Sequence, residues 1–328
     1  MKTLAFFNNK GGVGTTSLVY HLAWMYADLG VSVLAVDLDP QADLTSRFVE
    51  DERLEELWAE HPRRQTVFGA IQPLLEGAGD ISSPHVEHVA DGIGLLAGDL
   101  ALSVVEDELT AEWHDRPDRK VRGLRGVSAL GKVIELAARQ REATLALIDV
   151  GPNLGAISRA ALLAAEHVTI PLAPDLYSLQ GLRNLGPVWR RWRSEWTELR
   201  AQNPARELSV LSGEMQSAGY VVMQRAQRLD RAVKPYRWMA QIPSAYREAT
   251  SDPPASTIPR SIADDPECLA VLMHYRSLIP LAQDARKPMF FLKPADGATG
   301  GHIPAVQSCY REFRELAQRL AARCRIAI

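Results

Sequence analysis

The segment Lys10-Gly11-Gly12-Val13-Gly14-Thr15-Thr16-Ser17 carries the residue types that grip a phosphate group. Glycines let consecutive backbone N–H groups turn inward toward anionic oxygens with no Cβ in the way. A helix opening near Thr15 adds the positive end of its dipole, and the Thr16 hydroxyl stands where a Mg2+ ligand belongs. Two aspartate segments extend the set: Asp37-Leu38-Asp39-Pro40-Gln41-Ala42-Asp43 and Leu147-Ile148-Asp149-Val150-Gly151-Pro152. A carboxylate at the C-terminal end of a buried strand, beside a phosphate loop, suits a metal-bound water or an attacking water. A glycine-rich turn with no ligand is the alternative for the loop. For either aspartate alone, a helix cap or surface turn would serve equally well. Their combination is what points to a nucleotide.

Chemistry of this kind needs a sheet whose strand ends bring the loop and the acids together. Thr3 to Asn8 is a short apolar run, long enough for a buried strand, and the glycine loop follows it. Leu18, Leu22, Met25 and Leu29 then recur at helical spacing until Gly30, and Val31 to Leu38 is a second β-rich run. Strand, loop, helix, strand is a βαβ unit, which predicts an α/β fold: a mostly parallel, twisted sheet flanked by helices. Further strands are expected at 92–97, 144–150, 168–172 and 219–223, with helices at 100–109 and 130–141. The polar, basic stretch 112–126 reads as an exposed loop. Tyr310, Phe313, Leu316 and Leu320 have the spacing of a core-packing helix, and the glycines at 297, 300 and 301 read as a flexible loop. No repeat or separating linker is visible, so residues 1–328 are expected to form a single domain.

Composition narrows the class. With 46% hydrophobic and 23% charged residues in 328, the chain is an ordinary globular one rather than disordered or fibrous. No run of about 18 apolar residues suggests a spanning helix, and the short apolar N-terminus does not read as a signal peptide. The three cysteines, Cys268, Cys309 and Cys324, are far apart and lack metal-ligand spacing. Neither a disulfide framework nor a zinc site is expected, which points to a cytoplasmic location.

The quoted motifs together resemble those of the ParA/MinD family of ATPases, which carry a deviant phosphate loop and are P-loop NTPases of three-layer αβα type. The segments Ile170-Pro171 through Leu182 and Gln241-Ile242-Pro243 through Ala249 are similar to later family stretches, the second bordering the adenine pocket. The resemblance runs over nearly the whole chain and is densest in the first 45 residues. It implies ATP and Mg2+ as ligands and a homodimer that closes face to face over two ATP molecules. It places Lys10, Gly11, Gly12, Val13, Gly14, Thr15, Thr16, Ser17 and Pro243 at the nucleotide. Lys10 would reach the partner's phosphates, Asp39 would position the attacking water, and Thr16, Asp43 and Asp149 would organise Mg2+. The expected role is a ParA-like, ATP-hydrolysing dimer switch in DNA partitioning or cargo positioning, working with a ParB-like partner.

One position departs from the pattern. The family has a second lysine just before the Mg2+-binding threonine, and this chain has Thr15. That leaves a second reading open, a nucleotide-gated binding module that hydrolyses ATP poorly or not at all.

Charge points to a further partner. Residues 1–150 hold 14 Lys and Arg against 24 Asp and Glu, a net −10, whereas residues 151–328 hold 23 against 16, a net +7. Residues 183–237 contain eleven cations and five anions, including Arg190, Arg191, Arg193, Arg225, Arg228, Arg231 and Lys234. Such a face binds phosphate backbones without reading bases, so non-specific DNA binding and nucleoid association are expected. A solvated basic face with inward-packed tryptophans is the alternative. No operator-reading helix-turn-helix and no membrane anchor are expected, since the loop stands near residue 10 and the tail from Ala321 to Ile328 carries little bulky apolar surface. Bridging cysteines for an iron–sulfur cluster are missing as well.

Overall fold

Every second residue of the central strands points to the same side, and here both sides are apolar. On β1 (Lys2–Phe6), Leu4 and Phe6 enter one core while Ala5 enters the other. On β2 (Val33–Asp37), Val33 and Ala35 are divided from Leu34 and Val36 in the same way. A sheet hydrophobic on both faces must be covered on both, which is the setting of parallel strands joined by crossover helices. The computed structural model realises this as one eight-stranded sheet in the order β3-β4-β2-β5-β1-β6-β7-β8. The remaining strands are β3 (Glu87–Ala90), β4 (Ile93–Leu96), β5 (Leu145–Asp149), β6 (His167–Leu172), β7 (Gln216–Met223) and β8 (Cys268–Leu272). All neighbours run parallel except the edge pair β3 and β4. The structure describes residues 1–59, 64–106, 117–202, 211, 213–223, 237–251, 259 and 261–328.

Helices α1 (Thr15–Asp28), α2 (Asp43–Phe48) and α3 (Asp51–Trp58) follow β1 and β2, and α4 (Val67–Leu75) precedes β3. The rest are α5 (Pro117–Gln140), α6 (Ala156–Ala164), α7 (Leu176–Gln202), α8 (Ile242–Thr250), α9 (Leu278–Asp284) and α10 (His302–Cys324). One core joins α1 and α10 to one face of the sheet through Leu18, Leu22, Phe313 and Leu320. The other joins α4 to α8 to the opposite face, with Ile134, Leu162, Trp189 and Trp196 among its residues. Among the described residues no helix is long and apolar enough to cross a membrane.

The expected strands all form, and Gly30, at φ 83°, follows the end of α1 as anticipated. Two edge strands were not foreseen. β3 is four residues long and mostly half-buried, so it lacks a clear apolar alternation, and β8 reads equally well as a buried helical segment. The stretch 117–126 is not a loop but the first turns of α5. Pro117 suits a helix start, and arginine and lysine are good helix formers, so a polar run need not be a loop; residues 112–116 of that stretch lie outside the described residues. Of the expected helix at 100–109, residues 100 and 101 form a turn, residues 102–106 are helical, and 107–109 lie outside the described residues. The glycines near 300 form the turn leading into α10.

Candidate functional site

Parallel pairing brings the C-terminal ends of β1, β2 and β5 to one level, beside the middle of β6. Phe6 pairs with Asp149 and Thr169, and Asp37 pairs with Asp149. The loop after β1 therefore opens directly over the acids that end β2 and β5. Gly12 (φ 71°) and Gly14 (φ 103°) take left-handed backbone that L side chains rarely adopt. A Cβ on Gly14 would also sit 3.2 Å from the Met223 side chain. Gly14 is the N-cap of α1. It supplies no side chain to the free N–H groups, and the first turn holds no acid, so the helix opens with its positive end unmet. Thr15, Thr16 and Ser17 are the first three residues of that turn.

The acids differ in how they are held. Asp37 is fully buried and saturated: it accepts from the Thr45 amide at 2.8 Å, the Thr45 hydroxyl at 2.6 Å and the Asp39 amide at 3.1 Å. The Thr45 hydroxyl in turn accepts from the Gly98 amide at 2.8 Å, so Asp37 and Thr45 pin α2 against the end of β4. Burial nonetheless pushes the Asp37 carboxyl up to about 7. Asp39 accepts from the Gln41 amide at 3.0 Å and is also raised, first by burial and then by the Asp43 charge against the pull of that bond. A Cβ at Gly151 would stand 2.9 Å from Asp39 Oδ1, so only glycine lets the turn after β5 come this close. Asp43 begins α2 and is exposed.

Asp149 is the anomaly. It is 1% exposed, and neither carboxylate oxygen has a hydrogen-bond partner. The Thr16 hydroxyl lies close enough to favour its charged form slightly, but without hydrogen-bond geometry. Burial, and then the neighbouring Asp37, drive its pKa well above the carboxylate range. A buried acid with nothing to satisfy it calls for an explanation. A bound divalent cation would supply the missing charge. The donors here, a hydroxyl and carboxylates, are the hard oxygen ligands Mg2+ takes. Among the described residues no three His, Cys, Asp or Glu side chains converge as a ready-made metal cage. That suits an ion held by one or two protein groups together with phosphate oxygens. The residues present fit the group.

Lys10 is placed at the mouth of the loop. Its amide donates to Asn8 Oδ1 at 3.0 Å, while the Asn8 amide group donates to the Pro171 carbonyl and ties the loop to β6. The Lys10 ammonium pairs with Asp175 and lies 5.8 Å from the centre of the exposed Tyr177 ring. Burial would raise the Asp175 carboxyl, but the Lys10 bond and the Ser178 amide outweigh it and hold it below its usual value. Sequence reasoning did not single out Asp37, Thr45 or Asp175 as site groups. Asp37 and Asp175 stand inside quoted motifs, but only the fold reveals the contacts they make.

The remaining described candidates stand on α7 and α8. Pro243 is buried in the first turn of α8, where its carbonyl accepts from Arg247 at 3.0 Å. Arg190, Arg191 and Arg193 are exposed on α7, whose Trp189, Trp192 and Trp196 are buried. Arg190 donates to the Glu248 carbonyl at 3.2 Å, and Arg191 sits 3.7 Å from Glu195. Arg225, Arg228, Arg231 and Lys234 lie outside the described residues.

Comparison with known proteins matches this arrangement. A family model described as an AAA domain covers residues 1–198. The chain is 32% identical over 188 residues to the protein IncC of Escherichia coli, a match covering 56% of this chain and 44% of that protein. It is 29% identical over 185 residues to the chromosome partitioning protein ParA of Caulobacter vibrioides, covering 56% and 61% of the two chains. The chain thus spans roughly half of these relatives' lengths. A crystal structure of a protein from Corynebacterium diphtheriae superposes with a TM-score of 0.70 at 23% identity, over 98% of both chains, which establishes a shared fold. With its glycine loop between β1 and α1 and its acids at the ends of β2 and β5, the chain belongs to the ParA/MinD family of P-loop ATPases.

Proposed function

We propose that the chain is a ParA-like nucleotide switch, working as one unit that binds ATP and Mg2+ and hydrolyses ATP as a closed homodimer. The observation that carries this reading is the unpartnered, buried Asp149 beside Thr16 at the uncapped start of α1. Thr16, Asp149 and Asp43 would hold Mg2+. When bound, the ion neutralises charge on the β- and γ-phosphates. The chain's own groups do the rest. The loop amides of residues 11–16 cradle the phosphates, and Asp39, shielded at the base of the cleft, orients an attacking water. Lys10 adds its charge from the partner subunit once its bond to Asp175 is broken. Catalysis by this route is positioning plus charge stabilisation. Phosphate release is the test: turnover above that of Asp39→Ala supports the enzyme, and equal turnover removes it.

A second reading, a nucleotide-gated module with little or no hydrolysis, is favoured by Thr15. Loss of a charge-assisted hydrogen bond costs about 1.5–3 kcal/mol, some ten- to a hundredfold in binding. The remaining amides and the ion can absorb that, whereas a cation that stabilises the transition state can be worth about 10³–10⁵ in rate.

The partners implied are non-specific DNA and a ParB-like protein, in the cytoplasm or on the nucleoid. For DNA, the support is the exposed Arg190, Arg191 and Arg193 on α7. Replacing all three with glutamate should weaken binding of any duplex and flatten its salt dependence, read by anisotropy with ATP present. Unchanged affinity and slope would remove this face from the DNA site.

A further inference from the structure

We propose that a groove along the outer side of α1 is a docking site for an acidic peptide segment of a protein partner, one that also carries an aromatic or branched apolar anchor. The groove consists of two adjoining clefts that share Lys287. The first, about 290 Å³, lies between the opening turns of α1, helix α2 and the stretch after α9, and Ser17, Tyr20, Arg47 and Gln283 line it. The second, about 500 Å³, is walled by Trp24, Phe290, Phe291 and Lys293. Ser17, Tyr20 and Trp24 follow one another at three and four residues, so they make one stripe of α1, about 10 Å long, that joins the clefts.

Charge sets the chemistry of the occupant. Arg47, Arg286 and Lys287 line the first cleft against a single carboxylate, Asp43. Arg286 is engaged with the Val49 carbonyl and, at 3.4 Å, with Asp51, and Lys287 meets Asp296 at 2.7 Å. Arg47 makes no ion pair among the described residues, and Lys293 is exposed. His21 adds no charge at neutral pH. Its ring donates to the Ser17 carbonyl at 2.6 Å and accepts from the Met289 amide at 3.1 Å, and burial holds its pKa to about 4. The uncommitted charge of the groove is therefore positive.

The second cleft decides between a small anion and a peptide. Trp24 stands edge-on to Phe291 at 6.3 Å. Its indole N–H is buried near the Tyr20 hydroxyl without hydrogen-bond geometry, so the wall it gives an occupant is apolar. A phosphate or metabolite anion would fill the basic cleft and leave this aromatic wall bare. A peptide with acidic residues beside one anchor uses both, as aromatic pockets with charged rims do elsewhere.

The full chain, without nucleotide, is used to select from a phage-displayed library of random dodecapeptides. Enriched sequences should carry Asp or Glu next to Phe, Trp, Leu or Ile. A fluorescein-labelled synthetic copy of the most frequent sequence should bind in anisotropy, with affinity that falls as NaCl is added. Arg47→Glu and Lys293→Glu should each weaken it by about tenfold or more, the scale of a charge-assisted hydrogen bond. Thermal melting confirms that each variant folds. Lys293 is exposed and makes no described contact within either core, so it keeps the test valid if Arg47→Glu does not fold. No enrichment, enrichment lacking acidic residues, affinity unmoved by both variants, or full displacement by inorganic pyrophosphate would each overturn the proposal. Calorimetry with ATP and Mg2+ is run separately, so a silent phosphate loop and an empty groove are distinguishable.

Discussion

Asp37 and Asp149 face each other in register across the parallel pair β2 and β5, and only the first has partners. Two carboxyls this close, both withdrawn from water, cannot both be charged without a counterion. The pair is relieved either by a proton on Asp149 or by a bound cation, and α2 is fixed to the acid that already has its partners satisfied.

Replacing Asp149 with asparagine tests this through stability. The folded state raises the pKa of Asp149 well above its unfolded value, so between the two it binds a proton that the unfolded chain has released. Stability then falls as pH rises from about 4 toward the raised folded value. Asp149→Asn removes that loss. Without Mg2+, its melting temperature at pH 7 should exceed that of the wild type, with the difference shrinking toward pH 4. ATP binding should lose its Mg2+ dependence in the same variant. A variant less stable than wild type at every pH would contradict the electrostatic account.

Gly151→Ala addresses the neighbouring acid. The added Cβ meets Asp39 Oδ1 at 2.9 Å, and Pro40 Cδ stands at 3.4 Å, so the carboxylate or the turn must shift by a few tenths of an ångström. Nucleotide affinity, set by the loop on β1, should change less than about threefold. With Asp39 in its proposed role of orienting the attacking water, turnover should fall by at least about tenfold, because such a group tolerates little displacement. Equal losses in affinity and turnover would mean that the substitution disturbs the whole site.

The Lys10–Asp175 pair predicts an effect on assembly. If Lys10 serves the partner's phosphates, its bond to Asp175 opposes closure. Asp175 is 36% exposed on its side chain, so screening limits the pair to about 1 kcal/mol. Closing a symmetric dimer breaks two such pairs, so Asp175→Ala should strengthen ATP-dependent dimerisation by about thirtyfold at most in analytical ultracentrifugation, and Lys10→Ala should cancel the gain. An unchanged or weaker dimer in Asp175→Ala would show that Lys10 acts only within its own subunit.

Much of this site is legible in the sequence because its parts sit at strand ends. Gly12 and Gly14 mark left-handed turns, and the apolar runs ending in Asp37 and Asp149 place both acids on one sheet edge. The long-range contacts around the site were not legible. Thr45 reaches Asp37 across eight residues and Asp175 reaches Lys10 across 165, and no local period encodes either contact. The edge strands β3 and β8 escaped for a different reason. Short segments packed on one side carry too little alternation to distinguish a strand from a loop or a helix. In 117–126, the same cationic side chains that suggested a loop belong to α5, since polarity reports solvent and not backbone shape.

Thr15 separates the two functional readings. It occupies the first position of α1, where the family carries a lysine, and the rest of the loop keeps its glycines and its threonine. Thr15→Lys would extend a cation from the helix start toward the phosphates without altering the left-handed turns at Gly12 and Gly14. Lysine is also a good helix former, so the substitution should leave the helix intact. ATP affinity should rise by about tenfold or more, the value of one charge-assisted bond, and turnover should rise further, because transition-state charge is stabilised more than ground-state charge. Calorimetry and phosphate release measure the two separately. Tighter binding with no faster turnover would assign this chain to the nucleotide-gated module. Neither gain would show that the loop does not hold a triphosphate where the fold places it.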